Sequence, residues 1–281
     1  MERAYNTGQL IETDRSLLNR IFKQTIAYWN NVTIARQSIN RKYLSFIKKN
    51  DGKLVEIGGT LSFQKYMLHG KCILLDIEDK LTNDVTANAE SLPFASESID
   101  GFLCVSVLEH TQNPRLVIDE IWRCLKPGGE VFLSVPWLFE SHMEPLDFFR
   151  FSKFILSEWF TRFEVLELEP TNGYFGLLAH FMQSSKLLSL FIGTFFLWLD
   201  LSLNPDFRWT TQINLIAKKP MHESSNEMTP NQTNHTWLDI LRCPNCTHKG
   251  DGELIFSEEF VECCSCNTKY FLAEGKRPVF K

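Results

Sequence analysis

The sequence predicts an α/β protein built on a doubly wound parallel sheet, followed by a small β-rich unit that is organised by cysteines. Between residues 53 and 217, short apolar segments alternate with helical ones. Such alternation is typical of a parallel sheet with helices on both faces. Five of the eight cysteines lie between residues 243 and 266, and this clustering indicates a separate cysteine-rich unit.

Length and composition agree with one large and one small domain. The chain has 281 residues, of which 44% are hydrophobic and 22% are charged, enough to bury a core. The net charge of −5 disfavours electrostatic binding to the phosphates of nucleic acids, so nucleic acid is not an expected partner. The opening "MERAYNTGQLIETDR" has no apolar signal region, which predicts a cytoplasmic protein. In that compartment clustered cysteines favour a metal or catalysis over disulfides.

An amphipathic helix is predicted first, in "TDRSLLNRIFKQTIAYWN". Its apolar residues recur at helical spacing and predict a buried face. The residues of that face are Leu17, Leu18, Ile21, Phe22, Ile26 and Trp29.

Six strands and a second helix follow. The segments that read as strands are "KLVEI", "KCILLDI", "SIDGFLCVSV", "EVFLSV", "FEVLEL" and "TQINLIA". The helix is predicted in "PRLVIDEIWRCLKPGG", where Pro-Gly-Gly ends it. Its apolar positions at helical spacing are Leu116, Ile118, Ile121, Trp122 and Leu125.

The ends of the first two strands suit a nucleotide-like ligand. Gly58 follows "LVEI" and lets the backbone pass close to a ligand. About twenty residues later Asp76 ends the next strand, where its carboxylate can accept hydrogen bonds from a ribose diol. A tight turn and a capping aspartate explain the same residues without any ligand.

The segment "NAESLPFASESIDGFLCVSVLEHTQNPRLVIDEIWRCLKPGGEVFLSVP" closely resembles the class I S-adenosylmethionine-dependent methyltransferases, and the likeness runs through residues 53–136. It implies a Rossmann-like methyltransferase sheet and S-adenosyl-L-methionine as cofactor. It places the methionine part of the cofactor at Glu56 and Gly58, and the ribose at Asp76. It also implies that the adenine of the cofactor contacts Asn88 and Ala89. The sulfonium would lie above the segment from Val105 to His110.

One departure from that family lies in its first glycine motif. The second and third glycines are replaced by Thr60 and Ser62. A Cβ at these positions crowds the approach of the backbone to a cofactor, although both side chains are small and can donate hydrogen bonds.

A further motif, "HMEPLDFFRF", resembles a subset of these methyltransferases that is linked to surface-glycan or lipid modification. The resemblance implies that His142, Asp147 and Arg150 face the acceptor. The alternative is that Asp147 and Arg150 pair with each other while His142 caps the loop. A hydroxyl acceptor needs a general base, for which His142 is the first candidate and His110 the second.

The cysteine pairs predict a structural zinc site. Cys243 and Cys246 form one C-x-x-C, Cys263 and Cys266 form another, and sixteen residues separate the pairs. Four thiolates at this spacing complete a closed tetrahedral Zn²⁺ site, whereas a redox pair is the rival interpretation. Cys264 is predicted to point away from the metal.

The words around these cysteines, "LDILRCPNC" and "CNTKYFLAEGKRPVF", resemble a zinc-ribbon family over residues 237–281. Some members of that family are activating subunits of methyltransferases. The resemblance implies that the ribbon packs on the large domain through Leu238, Ile240 and Leu241 and stabilises it.

The stretch 187–199 is apolar and without charge. Its thirteen residues are too few for a membrane span, so it predicts helices that cover the active site or a face that contacts a membrane surface or a lipid-linked acceptor. A buried core helix is the alternative.

The predicted organisation is an N-terminal helical segment (1–50), a methyltransferase domain (51–220) with an apolar insertion (174–203), a flexible linker (221–236) and the zinc ribbon (237–281). The predicted function is methyl transfer to a small-molecule or lipid-linked acceptor, such as a surface glycan, by a cytoplasmic enzyme that is peripheral to the membrane. The alternatives are an inactive methyltransferase-fold scaffold, or a methyltransferase of tRNA or a translation factor.

Overall fold

The computed structural model describes residues 23, 25–29, 33–58, 72–79, 83–183, 185–203, 205–221, 237–247, 252–257, 259–273 and 277–280. Most of the first predicted helix, the glycine-motif positions Thr60 and Ser62, and the predicted linker after Met221 lie outside these residues. The chain divides into two compact units. The helical unit comprises Met1–Lys42 and Glu169–Gln212, and the sheet unit comprises Tyr43–Leu168 and Ile213–Lys281.

The sheet unit contains the predicted doubly wound sheet. Its strands are β1 (Leu54–Ile57), β2 (Cys72–Asp76), β3 (Val85–Ala87), β4 (Ile99–Val105), β5 (Leu125–Pro136), β6 (Glu164–Pro170) and β7 (Gln212–Lys218), in the order β6-β7-β5-β4-β1-β2-β3. The strands β3, β2, β1, β4 and β5 pair in parallel. The chain order reverses between β1 and β4, and ligands bind at such a switch point in open α/β sheets.

All six predicted strands are present, and β3 is one that the sequence did not predict. It has three residues, "VTA", too few to show an alternating or apolar pattern. The sheet unit also contains helices α2 (Pro114–Cys124) and α3 (Lys153–Trp159), whereas α1 (Ile34–Lys49) begins in the helical unit and ends in the sheet unit. Leu116, one of the apolar positions at helical spacing in α2, is 47% exposed, whereas Val117 beside it is buried.

The C-terminal segment forms what we call the cysteine module, residues 237–280. A 3₁₀ turn at Trp237–Ile240 is followed by β8 (Leu254–Phe256), β9 (Phe260–Cys263), β10 (Lys269–Ala273) and β11 (Arg277–Phe280). These four strands pair antiparallel in succession, and β11 then pairs in parallel with β3. The module thus extends the sheet to eleven strands.

The helical unit contains the apolar stretch. It holds α4 (Tyr174–Met182), α5 (Lys186–Leu188), a π-helical segment (Ser189–Gly193) and α6 (Thr194–Ser202). Tyr28, Ala179 and Leu197 form its core, and the Tyr28 hydroxyl donates a hydrogen bond to the Ala179 carbonyl (2.6 Å). Among the described residues, no helix has the length and apolarity to span a bilayer.

The face predicted for the first helix is wrong at the positions that the structure describes. Ile26 is 41% exposed and Trp29 is 49% exposed, whereas Thr25 and Tyr28 are buried. The indole N–H groups of Trp29 and Trp198 form hydrogen bonds here. Trp29 Nε1 donates to Thr194 Oγ1 (2.8 Å), and Trp198 Nε1 donates to Thr25 Oγ1 (2.9 Å). Tryptophan combines a large apolar ring with a donor, so spacing alone does not fix which way it faces.

Candidate active site

The predicted cofactor residues lie at the carboxyl ends of adjacent parallel strands. Gly58 directly follows β1 with φ +75°, and its N–H donates to the Leu75 carbonyl of β2 (2.8 Å). A Cβ on Gly58 would lie 2.4 Å from Val107 Cγ2. A side chain at this position is therefore excluded twice, by the left-handed backbone and by the segment that follows β4.

The two predicted acidic residues have different surroundings. Glu56 is 3% exposed and its Oε2 accepts the hydroxyl of Tyr43 (2.5 Å), so its carboxylate is bound within the protein. Burial beside Glu56 raises the pKa of Tyr43. Asp76 is half-buried at the end of β2, and its Oδ1 accepts the backbone N–H of Glu78 (2.8 Å). This bond orients the Asp76 carboxylate beyond the strand.

The predicted adenine-side residues form a turn after β3. Asn88 is exposed and its Oδ1 accepts the N–H of Glu90 (2.9 Å), while its carbonyl accepts the N–H of Ser91 (3.0 Å). Ala89 is 7% exposed. The structure therefore brings Gly58, Asp76 and Asn88 to one edge of the sheet, at the ends of neighbouring strands.

A carboxylate and two imidazoles converge after β4 and β5. Val105 ends β4, and the 3₁₀ turn Leu108–His110 follows it. Glu109 is fully buried, and within the described part of the chain neither of its oxygens has a hydrogen-bond partner. Its Oε1 lies 3.9 Å from Nε2 of His110 and 3.9 Å from Nε2 of His142. The two imidazole rings meet edge to face with centroids 4.8 Å apart.

Burial raises the pKa of Glu109 to about 8. The sequence analysis included Glu109 only within the segment from Val105 to His110 and assigned no separate role to it. An acidic residue inside an otherwise apolar word is the signal that could have identified it.

Both histidines are oriented through Nδ1. His110 Nδ1 lies 2.6 Å from the Leu146 carbonyl. His142 Nδ1 lies 3.3 Å from the Glu140 carbonyl and 3.5 Å from Asp147 Oδ2. These partners only accept hydrogen bonds, so Nδ1 carries the proton in each ring, and the Nε2 lone pair of a neutral ring faces Glu109.

Asp147 and Arg150 bind each other. Arg150 donates from Nη1 to Oδ1 (2.6 Å) and from Nη2 to Oδ2 (2.7 Å) of Asp147, whose side chain is 2% exposed. Asp147 also accepts the N–H of His142 (2.8 Å), and Arg150 donates to the carbonyls of Phe139 and Glu140. The hydrogen bonds from Arg150 hold the pKa of Asp147 far below its usual range. The pair fixes the loop that carries His142, and its contact with an acceptor stays a prediction.

The four predicted cysteine ligands converge in the cysteine module. The sulfurs of Cys243, Cys246, Cys263 and Cys266 all lie within 4.8 Å of one another. Two of the six separations are 3.6 Å, from Cys243 to Cys266, and 3.9 Å, from Cys246 to Cys263. A tetrahedral Zn²⁺ with bonds of about 2.3 Å holds its sulfurs about 3.8 Å apart, so these distances fit. Hydrogen bonds from Thr268 lower the pKa of the Cys266 thiol to about 6. The exposed Cys264 is outside the cluster, as expected.

The sheet topology and these strand ends define a Rossmann-like methyltransferase fold. Comparison with known families agrees: residues 59–133 match the family model described as a methyltransferase domain.

Three similar proteins illustrate the range of the match. An uncharacterised protein of Methanocaldococcus jannaschii, MJ1123, is 28% identical over 102 residues, which cover 34% of this chain and 47% of that protein. The biotin biosynthesis bifunctional protein BioHC of Teredinibacter turnerae is 44% identical over 45 residues, 16% of this chain and 8% of that protein. A SAM-dependent methyltransferase from Archaeoglobus fulgidus aligns with 64% of this chain and 90% of its own, at 16% identity and a TM-score of 0.44. The chain therefore matches less than half the length of either curated relative.

Proposed function

We propose that this chain is an S-adenosylmethionine-dependent methyltransferase whose acceptor is a small or lipid-linked molecule. The observation that carries the proposal is the switch-point edge of the sheet. There Gly58, with its positive φ, and Asp76 end adjacent strands, and the segment from Val105 to His110 follows the next strand. Methyl transfer from a sulfonium is an in-line displacement, for which positioning and exclusion of water supply most of the rate.

Calorimetry of S-adenosylmethionine binding tests this proposal. Hydrogen bonds from a ribose to a carboxylate contribute roughly 1.5–3 kcal/mol each, so Asp76→Ala is expected to weaken binding at least tenfold. Asp51→Ala, which removes an exposed carboxylate just before β1, serves as the matched control and keeps the affinity. If the unmodified protein does not bind the cofactor, the enzyme is ruled out and a scaffold of the same fold takes its place.

The apolar face of the helical unit supports a lipid-linked acceptor. Leu187, Phe191 and Phe195 are 73%, 73% and 57% exposed and recur every fourth residue, so they share one helical face. An exposed apolar face of this kind is typical of contact with a membrane surface.

Sedimentation with phosphatidylcholine vesicles tests the membrane contact. The variant Phe191→Ser/Phe195→Ser is expected to lose vesicle binding. Phe154→Ser is the control, because Phe154 is 74% exposed on α3 of the sheet unit and lies outside this face. Equal sedimentation of both variants and the parent would mean that this face has no part in lipid contact.

We further propose that the cysteine module is a zinc ribbon that stabilises the methyltransferase domain within the same chain. A closed set of four thiolates leaves no position for substrate, so its zinc would be structural. The module adds β11 beside β3, through the pairs Val279 with Thr86 and Phe280 with Ala87. Without it β3 would be an edge strand with unpaired backbone groups.

A second contact joins the module to the Leu-Pro-Phe motif, residues 92–94. Ala95 N donates to the Ile240 carbonyl (2.8 Å), Arg242 N donates to the Pro93 carbonyl (2.9 Å), and Leu241 is 1% exposed. This contact supports the proposed docking of the module through Ile240 and Leu241. It fastens the module to the segment that follows the adenine-side turn.

Truncation after Pro220 tests the stabilising role. The shortened chain exposes β3 and the residues of the large domain that contact Ile240 and Leu241, a contact that we call the seam. It is therefore expected to become less soluble or to melt several degrees lower than the full chain. Identical melting and solubility would show that the module is an independent unit that serves another partner.

A further inference from the structure

The starting observation is the buried carboxylate of Glu109. An ionised carboxylate without partners is very costly inside a protein, so such groups are normally paired, hydrogen-bonded or bound to a metal ion. Glu109 is 0% exposed and has no hydrogen-bond partner within the described residues. The nitrogens that face its Oε1, at 3.9 Å, are the Nε2 atoms of His110 and His142, and 3.9 Å is too long for a hydrogen bond.

We propose that Glu109, His110 and His142 form a second metal site, which binds one divalent transition-metal ion. Two imidazole nitrogens and one carboxylate oxygen are the ligand set that suits Mn²⁺, Fe²⁺ or Zn²⁺ and leaves further coordination positions open. The ligand atoms of all three residues lie within 4.8 Å of one another.

The fold explains why these ligands meet. Glu109 and His110 follow the carboxyl end of β4, and His142 follows the carboxyl end of β5, its parallel neighbour. The two segments are fastened to each other, since the N–H of Phe148 donates to the Glu109 carbonyl (2.8 Å). The ligands are therefore held by adjacent strand ends, independently of any metal.

The orientation of the imidazoles fits ligation. In metal sites a histidine that binds through one nitrogen usually donates its other N–H to a carbonyl or carboxylate. His110 does so to the Leu146 carbonyl, and His142 faces the Glu140 carbonyl and the Asp147 carboxylate. Both Nε2 atoms thus keep their lone pairs toward Glu109.

The distances require a modest contraction. Ligands about 2.1 Å from one tetrahedral ion lie about 3.4 Å from each other. The two separations of 3.9 Å therefore need to shorten by about half an ångström on binding, and the two histidine ligand atoms lie within 4.8 Å of each other before it.

The local charge also favours a cation. Arg150 is the nearby positive side chain that affects Glu109, and both of its terminal nitrogens bind Asp147. The charges of Arg150 and Asp147 cancel. Ligation requires neutral imidazoles and an ionised carboxylate, so the three ligands together bring one negative charge to a bound cation.

If the proposed methyl transfer is correct, this site suits an acceptor that carries a hydroxyl group. A hydroxyl bound at an open position of the ion becomes more acidic and releases its proton to water. Its oxygen then forms a bond to the methyl carbon, while the carbon–sulfur bond breaks and its electron pair returns to the sulfur.

Electron paramagnetic resonance of Mn²⁺ tests the site in the full, zinc-loaded chain. Mn²⁺ prefers nitrogen and oxygen ligands and does not compete for four thiolates. We expect one Mn²⁺ per chain to bind and its free signal to fall accordingly. Glu109→Gln and His142→Asn, which preserve side-chain shape, should each weaken binding at least tenfold. Glu144→Gln, an exposed carboxylate in the same loop, is the matched control and should bind like the parent.

The outcomes separate this inference from the proposed function. Mn²⁺ binding that is absent, or that persists unchanged in both folded variants, overturns the metal site even if the parent binds S-adenosylmethionine. Binding that is lost in both variants supports the site even if the parent does not bind S-adenosylmethionine, in which case only the methyltransferase proposal fails. Circular dichroism of each variant shows whether a loss of binding reflects a loss of fold.

Discussion

Replacing Gly58 by alanine tests how the switch point is built. The new Cβ meets two obstacles, the positive φ of +75° and Val107 Cγ2 at 2.4 Å. A left-handed backbone costs an alanine about 1–2 kcal/mol. Forcing a methyl group into a packed position costs about 1–3 kcal/mol more. The expected loss in the free energy of unfolding is therefore about 2–5 kcal/mol, measured by urea unfolding.

A double-mutant cycle separates the two terms. In a Val107→Ala background the atom nearest to the new Cβ is the Cβ of residue 107, at 3.6 Å, which is an ordinary contact. Gly58→Ala should then cost only the backbone term of about 1–2 kcal/mol. The coupling between the two sites is expected to be about 1–3 kcal/mol.

Gly128→Ala is the matched control for the backbone term. Gly128 also has a positive φ, +83°, but its new Cβ would meet the flexible end of Met221, whose sulfur lies 2.8 Å away and can move aside. Its expected cost is about 1–2 kcal/mol. If Gly58→Ala lowers the free energy of unfolding equally in both backgrounds, Val107 does not restrict this position. The close approach of the ends of β1 and β4 would then not be the reason for a glycine here.

Three further predictions concern the cysteine module and the helical unit. Metal analysis of Cys243→Ser/Cys263→Ser is expected to show zinc lost, whereas Cys264→Ser keeps it; zinc retained in the double variant contradicts the proposed ligands. Leu241→Ala removes a side chain that is 1% exposed at the seam. Urea unfolding should show a free energy of unfolding that is lower by about 2–5 kcal/mol. A loss below about 1 kcal/mol would mean that the seam is loosely packed. The Asp200 carboxylate accepts two backbone N–H groups at the start of α4, so Asp200→Ala should cost about 1–3 kcal/mol for the buried donors left without a partner, while Asp200→Asn, which keeps an acceptor oxygen, should cost clearly less.

The sequence predicted the parts of the fold that depend on local patterns. The six strands and α2 follow from apolar periods of a few residues, and the positions of Gly58 and Asp76 follow from the strands that they end. Cys243, Cys246, Cys263 and Cys266 were identified as one set from spacing alone, because two short knuckles fix where their sulfurs point. The structure brings those sulfurs within 4.8 Å of one another.

Local patterns failed where a residue's surroundings come from distant segments. Ile26 and Trp29 were predicted to be buried, yet they are exposed, because residues about 150 positions away determine which face of that helix packs. A periodic pattern identifies a helix, whereas the partner that covers it decides which residues are buried.

The sequence by itself determined that the chain combines a doubly wound sheet with a cysteine-rich unit, since both depend on residues that are close in sequence. Only the tertiary structure decided that β11 joins the sheet beside β3, nearly 200 residues earlier in the chain. It also decided that Glu109 is buried against His142, which lies on another loop. Strand pairing at an edge and the convergence of side chains across neighbouring strand ends are set by packing between remote segments, and the order of residues along the chain does not encode them locally.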